Sequence, residues 1–297
     1  MMIRYLVAWG GDARSGDALA LGVDLARTFG ASLDVVYVLH EESAFGVQHP
    51  GERAFRDRVE DQARTKLTAA LAAVPDGVDA QVHVRRSTSV TRGILDAVDE
   101  LGAALLVIGA GAGPGNRFVA NPVAGALLHA SSVPVAMAPR RYRRAERGPL
   151  DELVVAVGTR PGAQLVIDEA VAGASRVGLP MRLISLVDRD GRSRGAAKDE
   201  ADAARTLLDE LRAGLGSGSR PGDAGGGLAG ADLDVRVDVG EGRTLKKAIS
   251  RIDWAPRSAL MVGSSRLAQR RQTFLGTTAT RLLAHLPVPM IVVPRPE

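Results

Sequence analysis

The sequence predicts an α/β protein of two tandem doubly wound domains, each with a five-stranded parallel sheet, paired through their last strands. Three observations carry this. First, the chain of 297 residues states one pattern twice. The run Leu105 to Gly109, a Gly-rich loop, an amphipathic stretch and Val133 to Pro139 recur as Leu260 to Gly263, a Ser/Arg-rich loop, a matching stretch and Val288 to Pro294. Second, the starts of the halves match: Leu6-Val7-Ala8-Trp9-Gly10 answers Val154-Val155-Ala156-Val157-Gly158, and Gly30 and Gly178 follow at the same distance. Third, apolar strand-like runs alternate with amphipathic helical ones, the arrangement of parallel βαβ units with right-handed crossovers. So long a repeat marks a duplicated domain, because solenoid periods are shorter.

Taken in order, the first half reads as strand 3–9, helix 16–29, strand 32–39, helix 51–73, strand 79–86, helix 90–101, strand 104–109, helix 119–130 and strand 133–138. The second reads as strand 152–157, helix 162–177, strand 181–187, helix 195–214, strand 233–239, helix 243–253, strand 258–263, helix 273–285 and strand 288–293. Gly30 and Gly178 stop the first helix of each half. The Gly/Ser/Pro-rich stretch 214–231 buries too little apolar surface to offset chain entropy and reads as a loop. The segment 40–51 is a shorter connection in the corresponding part of the first half.

These elements place domain 1 at 1–140, a basic linker at 141–150 and domain 2 at 151–297. The last strand of each domain is apolar and forms an edge, and edges tend to pair. Pro134 and Pro289 stand at the strand starts, where a missing donor is tolerated. A pseudo-symmetric unit paired within one chain is expected, with a homodimer as a further step.

Composition excludes several classes. The absence of cysteine removes disulfides, thiol catalysis and zinc-thiolate sites. No apolar run approaches the length of a membrane span. Met1 to Leu6 leads straight into a strand with no signal-peptide cleavage region, so a cytoplasmic protein with no membrane partner is expected. The net charge is +4, and much of the arginine excess sits at Arg140, Arg141, Arg143, Arg144 and Arg147 and at Arg266, Arg270 and Arg271. The first group reads as a solvated linker. A nucleic-acid surface is not expected, since aromatics make up 3% of the chain and base stacking needs them.

In an open parallel sheet, ligands bind beyond the carboxyl ends of the strands, where strand order reverses. The loops after Gly109 and Gly263 leave such ends. The second runs Gly263-Ser264-Ser265-Arg266 and reaches Gly276-Thr277-Thr278 at the start of the next helix. Glycine permits close backbone approach, free N–H groups of a helix start favour an anion, the hydroxyls donate, and Arg266 or Arg270 can grip phosphate oxygens at two points. The competing reading is a plain strand-to-helix connection.

The same residues resemble the Gly-x2-Gly-x9-Gly-Ser/Thr phosphate loop of the universal stress protein (UspA-like) family. His285 with Pro287-Val288-Pro289 and the strand to Pro294 resembles its closing segment. The resemblance spans nearly the whole chain as two tandem Rossmann-like domains. It implies a stress-response regulatory module, with ATP and accompanying Mg2+ as the ligand of domain 2 held by Gly263, Ser264, Ser265, Arg266, Arg270, Gly276, Thr277 and Thr278. There are departures. Arg266 replaces the family's second glycine, Asn121-Pro122 replaces Gly-Ser/Thr in domain 1, and Gly10 and Gly158 stand where ATP-binding members carry aspartate. Asp12 lies two residues past Gly10. Domain 1 is therefore expected to be a degenerate copy that does not bind nucleotide.

The histidines His40, His49, His83, His129 and His285 form no metal-ligand spacing, and no nucleophile elbow or Gly-x4-Gly-Lys-Ser/Thr loop is present. A non-catalytic module with an unidentified regulatory protein partner is expected. A ligand-free interaction scaffold and a weak ATP hydrolase are the alternatives. Trp9 and Trp254 read as packing residues, Trp9 close to where a ligand edge would lie.

Overall fold

A computed structural model describes residues 2–41, 50–112, 118–119, 122–158, 163–189, 194–216, 233–264 and 277–294. The first half contains strands β1 (Arg4–Ala8), β2 (Ser32–His40), β3 (Ala80–Ser87), β4 (Leu105–Gly109) and β7 (Val135–Ala138), a short hairpin of β5 (Gly111–Ala112) and β6 (Phe118–Val119), and helices α1 (Ala13–Phe29), α2 (Pro50–Leu71), α3 (Val90–Leu101) and α4 (Pro122–Ala130). The second contains β8 (Glu152–Ala156), β9 (Met181–Asp188), β10 (Val235–Gly242), β11 (Ser258–Gly263) and β12 (Met290–Val293), with α5 (Ala163–Val177), α6 (Arg194–Gly216), α7 (Leu245–Ile249) and α8 (Thr277–Leu283).

All the long strands join one ten-stranded sheet in the order β10-β9-β8-β11-β12-β7-β4-β1-β2-β3. Pairing is parallel inside each half and antiparallel at the centre, where Met290, Ile291 and Val292 face Met137, Ala136 and Val135. The last strands thus cover each other's edges, as expected. Alternation of side chains along each strand gives the sheet two apolar faces. Val7, Val35, Val155 and Leu183 pack under α1, α2, α5 and α6 with Leu21, Leu25, Leu67 and Ile167. Leu6, Leu106, Val154 and Leu260 pack under the other four helices with Ile94, Leu127, Ile249 and Leu282. Both cores run through the junction between the halves.

Helix ends follow from local chemistry. Asp12 caps α1 by accepting the Ser15 N–H, and Gly30 closes it in the left-handed region at φ 65°. Gly178 repeats that conformation at φ 66° after α5. Helix α4 begins at Pro122, whose fixed φ suits a first helical position, so the helix starts three residues later than the pattern 119–130 suggested and Val119 belongs to the hairpin. Helix α7 has five residues rather than the span 243–253. Beyond it the chain tightens into three-residue bonds, Arg251 N–H to Ala248 O (3.1 Å) and Ile252 N–H to Ile249 O (3.3 Å), and the Trp254 indole N–H adds a second donor to Ile249 O at 3.0 Å. The residues of 40–51 and 214–231 expected as loops lie mostly outside the described ones, and α6 continues to Gly216.

The basic linker is not simply solvated. Asp17 and Asp24 lie two turns apart on α1 and are 5% and 1% exposed. Asp17 accepts the backbone N–H groups of Arg141 (2.8 Å) and Arg143 (3.1 Å). Asp24 accepts Arg147 Nε (2.8 Å) and Nη2 (3.2 Å), the Tyr142 hydroxyl (3.0 Å) and the Gly148 N–H (3.2 Å). Burial, then the neighbouring Asp24 carboxylate, push the Tyr142 hydroxyl well above its usual ionisation range, so it stays a donor. Arg141 adopts φ 65°, an unfavourable conformation for a side-chain-bearing residue, and its bond to Asp17 helps hold it there. Two buried carboxylates need donors, and the linker supplies them.

Candidate ligand sites at the strand ends

In the first half, strand order reverses between β1 and β4; in the second, between β8 and β11. Such reversals are the places where a crevice can form beyond the carboxyl ends. In the first half the crevice is a cleft of about 290 Å³. Trp9 and Tyr37 come from the ends of β1 and β2, with ring centroids 5.9 Å apart in an edge-to-face arrangement. Val38, Ile94, Ile108 and Leu127 extend the apolar wall, and Gly10, Asp12, Arg14 and Ser15 form its polar end.

That polar end is internally satisfied. Asp12 Oδ1 accepts Ser15 N (2.9 Å) and Ser15 Oγ (2.8 Å), and Oδ2 accepts Arg14 Nε (2.5 Å). Ser15 Oγ in turn accepts the Gly10 N–H at 2.8 Å. Burial alone would raise the Asp12 carboxyl, but the bonds from Ser15 and Arg14 outweigh it and hold the group below its ordinary value. Asp12 therefore acts as a helix cap rather than as a replacement for an acid at Gly10.

Gly109 has a packing reason of its own. A Cβ there would lie 2.3 Å from the Arg14 carbonyl oxygen, so α1 can cross the end of β4 only over glycine. Gly263 is its counterpart on β11, where a Cβ would lie 2.7 Å from a Val166 methyl of α5. Close helix–strand contact thus accounts for both glycines without a ligand.

In the second half the Val157 N–H donates to Ile184 O at 2.8 Å, as Trp9 does to Val36 O at 2.9 Å, so Val157 and Gly158 stand where Trp9 and Gly10 stand in the first. Ser264 donates its N–H to Val293 O at 2.9 Å, continuing the ladder past Gly263. Thr277 opens α8, with Thr278 following in its first turn. Ser265, Arg266, Arg270 and Gly276 lie outside the described residues.

The cleft residues Tyr37, Arg14, Ser15 and Ile94 were missed by a reading that followed the loops after Gly109 and Gly263. Applying the reversal rule to the end of β1 as well as β4 would have found them. Of the histidines, His83 is engaged with Asp34 at 2.6 Å and is not among the residues lining the cleft. Among the described residues no group of three His, Asp or Glu side chains is placed to hold a metal, and no helix is long and apolar enough to cross a membrane.

Two half-sheets, each with one reversal of strand order and joined edge to edge, define a tandem doubly wound α/β protein. The chain belongs to the universal stress protein family, whose model matches residues 1–139 and again 150–294. It is 30% identical to universal stress proteins of Mycobacterium tuberculosis and Mycobacterium bovis, covering 93% of this chain and 94% of theirs. Its fold is similar to that of a universal stress protein from Archaeoglobus fulgidus, with a TM-score of 0.63 and 17% identity over 98% of both chains.

Proposed function

We propose that this chain is a non-catalytic, cytoplasmic stress-response module in which an adenine nucleotide bound by domain 2 sets how the paired domains meet a regulatory protein partner. The observation that supports it best is the position of Gly263. Strand β11 ends there between β8 and β12, at the reversal of strand order, and the loop toward Thr277 leaves from that point. The fit is partial. The Ser264 N–H serves the sheet, so phosphate donors must come from the hydroxyls of Ser264, Ser265, Thr277 and Thr278, the backbone at Gly276, and the Arg266 and Arg270 guanidinium groups. With glycine at position 158, Mg2+ accompanying ATP would be held mainly by phosphate and water. The sequence supplies neither an activated nucleophile nor a general base of recognisable pattern, which favours binding over turnover.

Calorimetric titration with ATP and Mg2+ tests this. One site per chain is expected, abolished by Gly276→Glu and weakened at least tenfold by Arg266→Ala combined with Arg270→Ala. Absence of heat at several temperatures, or binding unchanged in both variants, would remove the assignment. The second reading is a ligand-free scaffold, favoured by Gly10 and Gly158 and by the commitment of Asp12 to its helix cap. It predicts no nucleotide affinity and association through protein surfaces, including self-association to a homodimer.

A further inference from the structure

The ten-stranded sheet ends in two edges, β10 and β3. We propose that the β10 edge is the interface of a homodimer. In it β10 pairs antiparallel with β10 of a second copy about a two-fold axis at Val237, so that one continuous sheet runs through both chains.

The backbone of β10 is set for this. Asp234 O accepts the Met181 N–H at 2.8 Å and Gly242 O accepts the Arg189 N–H at 3.1 Å. Even-numbered residues therefore turn their backbone groups toward β9, and odd-numbered ones turn theirs outward. The outward N–H groups include those of Val235, Val237 and Val239, and among the described residues nothing bonds to them. Such a row is a template for another strand. The three valine side chains are half-buried at the margin of the core under α6, as are Leu207 and Leu211 of that helix. Arg236 and Asp238 project from the opposite face, and both reach solvent.

The side chains, read in register, specify a second copy as the occupant. With the axis at Val237, that residue meets its own copy, and Val235 and Val239 meet each other twice, all as hydrogen-bonded pairs. Arg236 then faces Asp238 of the second copy, and Asp238 faces Arg236, at the closer non-hydrogen-bonded positions. Within the chain the cation beside Asp238 is Arg182 at 3.8 Å, and Glu152 already holds it. Arg236 bonds exposed Asp234 at 3.0 Å through one nitrogen, and its other N–H groups remain for the second copy. The neighbouring registers oppose like charges. An axis at Arg236 sets Arg236 against itself and Asp234 against Asp238; an axis at Asp238 sets that carboxylate against itself. The β3 edge is not matched in this way. Centred on His83 or on Val84, it sets His83 against itself or against Arg85, and no opposite charges meet. The self-complementary edge closes a two-fold dimer, with no further copy added at β10.

Sedimentation velocity of the full chain tests the interface. The parent should be mostly dimeric at about 100 µM. Arg236→Asp or Asp238→Arg alone opposes like charges at both places across the axis and should weaken dimerisation at least tenfold. An equimolar mixture of the two restores opposite charges at both places, and should dimerise at least tenfold more tightly than either variant alone. Val237→Pro removes one outward N–H and keeps the ladder to β9, so it should give a folded monomer by circular dichroism. Val84→Pro makes the same change on the outer row of β3 and should leave the dimer intact. Any of four results overturns the interface: a parent mostly monomeric at that concentration, a folded Val237→Pro that dimerises as the parent does, a mixture no tighter than its components, or loss of the dimer in folded Val84→Pro. If Val237→Pro does not fold, the mixture decides. None of these readings uses a nucleotide, so this interface and the ATP site of domain 2 stand or fall separately.

Discussion

Asp34 and Arg182 occupy the same position in the two half-sheets and carry opposite charge. Asp34 on β2 stands opposite Leu6 of β1, and Arg182 on β9 stands opposite Val154 of β8, the residue that answers Leu6 in the repeat. Their partners are inverted as well. Asp34 is held by Arg4 at 2.7 and 2.8 Å and by His83 at 2.6 Å. Arg182 is held by Glu152, at the position of Arg4, and approaches Asp238, at the position of His83, to 3.8 Å. A partly buried polar cluster has thus kept its positions across the duplication, with the charges of its strand pair exchanged.

This relationship predicts a specific rescue. Asp34 is 1% exposed, and its removal takes from Arg4 and His83 the carboxylate that both engage. Removing one partner of a buried pair typically costs about 3–5 kcal/mol; with Arg4 partly solvated, about 2–4 kcal/mol is expected for Asp34→Ala. The triple exchange Arg4→Glu, Asp34→Arg, His83→Asp installs the arrangement of the other half and should recover most of that loss. Urea denaturation compares them, and a triple variant no more stable than Asp34→Ala would show that the match of positions has no energetic content.

Acid stability follows from the same cluster. Burial by itself would raise the Asp34 carboxyl, but hydrogen bonds from Arg4 and then His83 prevail, and the group lies below its ordinary value. The folded protein then binds this proton less tightly than the unfolded chain. The stabilisation is fully present above the unfolded carboxylate value near about 3.9 and disappears as pH falls through the lower folded value. Denaturation midpoints measured from about pH 5 downward should fall more steeply for the parent than for Asp34→Asn, which has no proton to take up there. Parallel curves would contradict the role given to Asp34.

The linker makes a different prediction, on protease access. Arg143 and Arg144 are exposed, yet the backbone around them is fastened to α1 through Asp17 and Asp24. Trypsin should cut there slowly in the parent and at least tenfold faster after Asp24→Ala, which unfastens Arg147, Tyr142 and Gly148 together. Tyr142→Phe removes one bond to a charged acceptor and should lower stability by about 1–2 kcal/mol with little change in cleavage. Equal cleavage rates in parent and Asp24→Ala would mean that the fastening is not what orders the linker.

How much of this was legible in the sequence depends on how local the signal is. The duplication, the glycine stops at Gly30 and Gly178, and the pairing of Val135 with Val292 rest on short patterns with one structural solution each. The ionic clusters do not. Asp34 reads as an interruption in an apolar strand until the register places Arg4 and His83 beside it. The pair Arg147 and Asp24 joins residues 123 apart, and nothing local marks it. The cleft is assembled from the ends of β1, β2 and β4 with α1, α3 and α4, so its residues share no motif. Glycines at the strand ends suggested phosphate approach, because sequence shows that a Cβ is absent and not what takes its place.

Gly109 and Gly263 test what does take its place. At Gly109 the obstacle is a backbone oxygen of α1, Arg14 O at 2.3 Å, and backbone cannot turn aside without moving the helix. At Gly263 it is one methyl of Val166 at 2.7 Å, at the end of a side chain that can be shortened. Overpacking typically costs about 1–3 kcal/mol, so Gly109→Ala should fall at or above the upper end and Gly263→Ala toward the lower. The second should be rescued by Val166→Ala, which removes the opposing methyl, and the first has no equivalent remedy because Arg14→Ala leaves the carbonyl in place. Thermal denaturation of the four variants decides the matter. If Gly263→Ala folds normally yet loses ATP binding, close backbone approach by a ligand, and not helix packing alone, is what that glycine serves.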